Sequence, residues 1–139
     1  MNVVILAAGK GTRMRSALPK VLQPVGGLPM LFHVIDAAKT LQAKQISCVI
    51  GHEAHQVQTA LGLHYGADHE MNLVLQSPAH GTGHAVACAL PSLGAAATTL
   101  ILYGDVPLIP PHALKTLVAC SEQHNGIAVL TTRLNNPTG

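Results

Sequence analysis

The chain has 139 residues, the size of one domain or a part of one. Hydrophobic residues make up 48% and charged residues 10%, which excludes a chain disordered by composition. Aromatics at 2%, the absence of Trp and a formal net charge of +2 exclude a stacking platform or a broad basic face, so no nucleic-acid partner is expected.

Apolar runs alternate with helical periodicity along the whole chain. Residues 3–8 read as a buried strand. Residues 9–19 form a basic, glycine-containing loop. Pro29 opens a helix with Met30, Val34, Ile35, Ala38 and Leu41 on one stripe. Residues 46–50 are a second strand, closed by Gly51, and residues 53–61 a helix with Val57, Ala60 and Leu61 inward. A short strand at 73–75 leads to a small-residue helix at 82–90, stopped by Pro91. Residues 100–103 are a fourth strand, 111–124 a helix with Leu114, Leu117 and Val118 inward, and 127–132 a fifth strand. Strands alternating with helices predict an α/β fold with a mainly parallel sheet and right-handed crossovers. Ligands of such sheets sit at the carboxyl ends of strands. The segments of interest are therefore 9–20, 76–82 and 104–107.

Half of the cations, Lys10, Arg13, Arg15 and Lys20, precede the first acidic residue, Asp36. Such a cluster suits a small anionic ligand. Cys48, Cys88 and Cys120 are few, far apart and without a CxxC, and are expected to be buried free thiols of a reducing cytoplasm. The N-terminus lacks the pattern of a signal peptide, and the long uncharged run 85–104 is broken by Pro91 and Gly94, so no membrane association is expected. His52-x-x-His55 and His80-x-x-x-His84 lack a third ligand of the right type, and no zinc site is expected.

The loop Ala7-Ala8-Gly9-Lys10-Gly11-Thr12-Arg13-Met14 follows the first strand directly. Gly9 and Gly11 are expected to turn the backbone with positive φ and expose N–H groups to phosphate. Two common phosphate patterns fail. GxGxxG needs Gly where Met14 stands, and a Walker loop needs Gly-Lys-Ser/Thr at its close.

This loop, together with Leu18-Pro19-Lys20-Val21-Leu22, Gly27-x-Pro29-Met30, Gln76, Gly81-Thr82-Gly83-His84-Ala85, Leu102-Tyr103-Gly104-Asp105-Val106-Pro107-Leu108 and Pro137-Thr138-Gly139, resembles the sugar-nucleotide pyrophosphorylases. Among them it is most similar to the uridylyltransferase domain of the bacterial bifunctional N-acetylglucosamine-1-phosphate uridylyltransferase/glucosamine-1-phosphate acetyltransferases. The resemblance implies a Rossmann-like nucleotide-diphospho-sugar transferase fold. It also implies UTP, N-acetylglucosamine 1-phosphate and UDP-N-acetylglucosamine as partners, Mg²⁺ as cofactor, a cytoplasmic setting and a role in cell-wall precursor synthesis.

By the same resemblance Leu6, Ala7, Ala8 and Gly9 contact the base and ribose, and Arg13 and Lys20 are catalytic, neutralising the triphosphate and the departing pyrophosphate. Gln76, whose amide carries both donor and acceptor, would read uracil, with Gly81 adding a backbone N–H and Thr82 capping the next helix. Tyr103 and Gly104 would line the cleft, and Asp105 would hold Mg²⁺. Gly139 belongs to the sugar-binding segment. The 139 residues are expected to be the nucleotide-binding half of a C-terminally truncated pyrophosphorylase domain, with the acetyltransferase β-helix and the family's homotrimer contacts absent and turnover impaired. The alternatives are a non-catalytic nucleotide-sugar-binding module and a transferase for another sugar or base.

Overall fold

The computed structural model describes residues 1–9, 11, 16–66, 69–95 and 98–135. Lys10, Arg13 and Arg15 of the predicted cation cluster, and the terminal Pro137, Thr138 and Gly139, lie outside the described residues. In chain order the elements are β1 (Asn2–Ala7), a small hairpin of β2 (Pro24–Val25) and β3 (Leu28–Pro29), α1 (Met30–Lys39), β4 (Gln45–Ile50), α2 (Ala54–Tyr65), β5 (Asn72–Leu75), α3 (Thr82–Ala89), β6 (Thr99–Tyr103) and α4 (Pro111–His124).

Every residue of β1 is buried. A strand apolar on both faces must sit mid-sheet with helices above and below. On one face Val3, Ile5 and Ala7 pack with Leu31, Ile35 and Ala38 of α1, Val57 and Leu61 of α2 and Leu114 of α4. On the other, Val4, Leu6 and Ala8 meet Ala85 and Ala89 of α3. Each large aliphatic side chain so buried contributes roughly 1.5–3 kcal/mol.

The four long strands pair in parallel in the order β5-β4-β1-β6. The chain steps outward from β1 to β4 to β5, then returns under α3 to β6 on the other side of β1. Direction and face reverse together, which keeps one crossover hand. The switch point therefore falls between the carboxyl ends of β1 and β6, where α/β sheets open a crevice.

The α/β reading and the parallel sheet hold, with three differences. The segment predicted as a strand at 127–132 carries no regular structure, and Ile127 is 97% exposed. Its apolar alternation suits a strand, but a strand exists only with a ladder, and this segment pairs with neither sheet edge. The hairpin β2–β3 was not anticipated. It turns on Gly26 (φ 59) and Gly27 (φ 84), the two left-handed residues a tight hairpin turn requires. Helix α2 runs past 61 to Tyr65, because the Tyr65 hydroxyl donates to Asp36 Oδ1 at 2.8 Å and His64 stacks on Phe32 at 4.6 Å. Of the three thiols only Cys48 is buried; Cys88 is half-buried and Cys120 exposed on α4. Cys120 falls outside the predicted inward stripe of that helix. Among the described residues no helix is long and apolar enough to cross a membrane.

Candidate functional site

Helix α3 packs mainly against β1, β4 and β5. On that face of β6, Ile101 is 44% and Tyr103 49% exposed. The gap beside α3 is a cleft of about 310 Å³ at the switch point. Leu6, Ala8, Gly9, Lys20, Gln76, Gly81, Thr82, Tyr103 and Asp105 line it, with Val21, Ala79 and Ala85. Nine predicted residues from four separate segments thus share one space. A larger groove, about 530 Å³, lies at the opposite, amino end of β4 and β5 beside Gln45 and Asn72, away from these residues.

Two predicted residues do not line the cleft. Ala7 points to the α1 side of the sheet. Gly104 is buried beneath it, donating its N–H to Leu6 O at 2.9 Å. A Cβ on Gly104 would stand 3.1 Å from Leu6 O and 3.2 Å from Leu31 Cδ1, so a side chain there would be crowded where β6 sits against β1. Thr82 is the first residue of α3 rather than its cap, and the N-cap is Gly81 at φ 90. In the loop after β1, Gly11 is left-handed (φ 56) and Gly9 is not. A Cβ on Gly11 would lie 2.6 Å from Lys20 Cβ, so this glycine lets the loop pack against the lysine.

Gln76 follows β5 and extends its ladder, its N–H donating to Ile50 O at 2.8 Å. The side chain is 5% exposed. Its Nε2 donates to Gly81 O at 3.0 Å and lies 3.2 Å from His84 Nδ1. The sequence suggested an amide offering donor and acceptor alike; in the fold Nε2 is directed at Gly81 O and His84 Nδ1. His84 in turn places Nε2 3.5 Å from Cys88 Sγ.

Lys20 opens a 3-10 turn (Lys20–Leu22) whose Val21 and Leu22 are buried, which anchors the base of the lysine. Its Nζ donates to Asp105 Oδ2 at 2.5 Å. The two side chains are 40% and 30% exposed, so solvent screens the pair and its worth to stability is at most about 1 kcal/mol. The donor set fits a hard divalent ion held mainly by phosphate and water, because Asp105 offers carboxylate oxygen at a strand end and Mg²⁺ needs only one or two such ligands. Among the described residues no group of three or more His, Cys, Asp and Glu side chains could hold a metal by itself.

Pattern reading missed the Lys20–Asp105 contact, which joins residues far apart in the chain. It placed Gly51 at the close of the second strand but not its close approach to the first loop, where a Cβ would stand 2.8 Å from Ala8 O. The available signal was positional, since Gly51 and Gly104 each directly follow an apolar strand.

Residues 3–137 match the MobA-like NTP transferase domain family. The chain is 52% identical over 139 residues to the bifunctional protein GlmU of Paraburkholderia phymatum and 52% identical to that of Marinobacter nauticus. Both alignments cover 100% of this chain and 29% of the relative, so the chain spans under a third of the curated proteins it matches. Among solved structures it is similar to Rv0371c from Mycobacterium tuberculosis, with TM-score 0.74 and 23% identity over 88% of this chain and 60% of that one. The same protein complexed with manganese aligns with TM-score 0.71 and 23% identity over 88% and 59%. These structural likenesses show the fold.

Proposed function

We propose, for a chain that belongs to the MobA-like NTP transferase domain family, that its cleft is the nucleotide site of a sugar-1-phosphate uridylyltransferase making UDP-N-acetylglucosamine and pyrophosphate. The choice of UTP and N-acetylglucosamine 1-phosphate draws on the GlmU relatives and on the segments quoted from the sequence. One observation carries the reading: Gln76, Lys20 and Asp105, from three separate segments, converge on one cleft at the switch point.

In this reading the base lies by Gln76 and Gly81, with the ribose over Leu6, Ala8 and Gly9. An oxygen of the sugar phosphate forms a bond to the α-phosphorus of UTP while the bond from that phosphorus to the bridging oxygen of pyrophosphate breaks. The attacking phosphate is already an anion, so no general base is required. Lys20, with Arg13 outside the described residues, neutralises the triphosphate and the leaving group. Asp105 would hold Mg²⁺, which supplies further charge neutralisation when bound. The chain would be the nucleotide-binding part of a pyrophosphorylase domain, acting in the cytoplasm. Gly139, outside the described residues, would contribute to the acceptor-sugar site, and a homotrimer is carried over from the resemblance alone.

Titration of the chain with UTP, monitored by amide chemical shifts, tests the reading. Expected are shifts at Gly9, Gln76 and Asp105. Shifts confined to the groove at the other end of the sheet, or none, would overturn it.

A further inference from the structure

We propose that His84 is a positioning residue that commits Gln76 to presenting an acceptor, and that this makes the cleft select bases carrying an imide N–H. The inference deepens the nucleotide reading above and rests on it.

A glutamine amide can flip, exchanging its donor and acceptor ends. Here two neighbours oppose the flip. Gly81 O, 3.0 Å from Nε2, is a carbonyl and can only accept. His84 Nδ1, 3.2 Å from the same Nε2, accepts when the ring carries its proton on Nε2. That tautomer also gives Nε2–H a partner, since Cys88 Sγ lies 3.5 Å away. The relay runs from Gln76 to His84 to Cys88, each donating to the next. Both hydrogens of the Gln76 amide are then consumed within the protein.

The remaining atom, Oε1, has no hydrogen-bond partner among the described residues and is not sealed from solvent. Gln76 is otherwise 5% exposed, so the side chain offers the cleft one carbonyl oxygen. Uracil meets an acceptor with its N3–H. Cytosine brings a lone pair at N3, and acceptor faces acceptor. A site that leaves polar atoms unpaired against the wrong ligand discriminates strongly. Selection thus depends on a histidine behind the glutamine.

The test measures UTP and CTP binding to the chain in magnesium buffer for the parent and two variants. His84→Phe keeps a ring and removes the acceptor; His84→Asn places an oxygen the same number of bonds from the backbone as Nδ1. Expected is a UTP preference in the parent, reduced about tenfold (~1.4 kcal/mol) in His84→Phe and restored in His84→Asn. A merely structural histidine predicts equal weakening of both nucleotides. Independently, nitrogen chemical shifts of the ligand-free chain should show His84 protonated on Nε2 and bare at Nδ1. An Nδ1–H tautomer, or a His84→Phe variant that keeps the parent preference, overturns the inference while leaving the uridylyltransferase reading intact. A parent chain that does not prefer UTP overturns both. Should His84→Phe fail to fold, the tautomer decides.

Discussion

Lys20 Nζ and Asp105 Oδ2 meet at 2.5 Å across 85 residues of sequence. The lysine stands on an anchored turn and the aspartate follows a strand whose position is set by pairing with β1. In the ligand-free chain the ammonium therefore sits on one of the oxygens a divalent ion would use. Removing it should favour the ion. Lys20→Met is expected to tighten Mn²⁺ binding to the nucleotide-free chain about two- to fivefold, the size of an exposed ion pair, and to change folding stability by less than about 1 kcal/mol. Electron paramagnetic resonance of free Mn²⁺ measures the first and urea unfolding the second. Asp105→Asn should abolish the ion binding. Unchanged or weaker Mn²⁺ binding in Lys20→Met would remove the competition from the account.

Gly9 and Gly51 offer a contrast between a ligand-facing glycine and a packing one. A Cβ on Gly9 meets nothing within 4 Å, and Gly9 lines the cleft. A Cβ on Gly51 would lie 2.8 Å from Ala8 O and 2.9 Å from Ala8 Cβ, both held by the backbone. Gly51→Ala should cost about 1–3 kcal/mol as the strand ends are forced apart. Gly9→Ala should stay within about 0.5 kcal/mol of the parent yet weaken nucleotide binding. Urea midpoints at constant slope, with UTP titration beside them, read both. Equal stability losses in the two variants would contradict the contrast.

The sequence carried most of this frame because apolar runs and glycines are local signals. The β1 run, a helix opening behind Pro29 and α4's bounds at 111–124 were legible, but α1's buried stripe also takes in Leu31 and Phe32, and the predicted Leu41 lies past its end at Lys39. Asp105 was legible as a strand-end carboxylate, since a strand's end is itself a local feature. What escaped depended on contacts between distant residues. The orientation of the Gln76 amide depends on Gly81 and His84 closing around it. The unpaired segment 127–132 failed as a strand for the same reason: propensity is local, a ladder is not.

Alkaline pH should weaken the fold through Cys48. Complete burial pushes its thiol from 9.0 up to about 12. A pKa raised in the folded state gives stability that is fully present below the unfolded value and is lost as pH rises through the window. Stability should thus fall between pH 9.0 and about 12, approaching ~1.4 kcal/mol per pH unit from this group. Burial, then the Asp36 hydrogen bond and charge, push the Tyr65 phenol up as well, and its contribution begins near its ordinary 10.0. Cys48→Ala should flatten the slope from pH 9.0 upward, and Tyr65→Phe the slope above 10.0. Identical slopes in parent and Cys48→Ala would exclude the thiol. Disulfide reagents should modify exposed Cys120 first and Cys48 only on unfolding.

Beyond α4 the chain presents Ile127 at 97%, Val129 at 74% and Leu134 at 64% exposure, a run of largely exposed apolar side chains. The free edges of β5 and β6 stand unpaired among the described strands. Exposed apolar segments with strand-like alternation and open sheet edges drive chains to pair with one another. The chain should therefore self-associate with rising concentration, visible in sedimentation velocity between micromolar and millimolar samples. Ile127→Lys with Val129→Lys should suppress that association. Because neither side chain is buried, the double substitution should leave the urea midpoint within about 0.5 kcal/mol of the parent. Association that survives both lysines would shift its cause to other exposed apolar surface, such as the face of β6 that carries Ile101 and Tyr103.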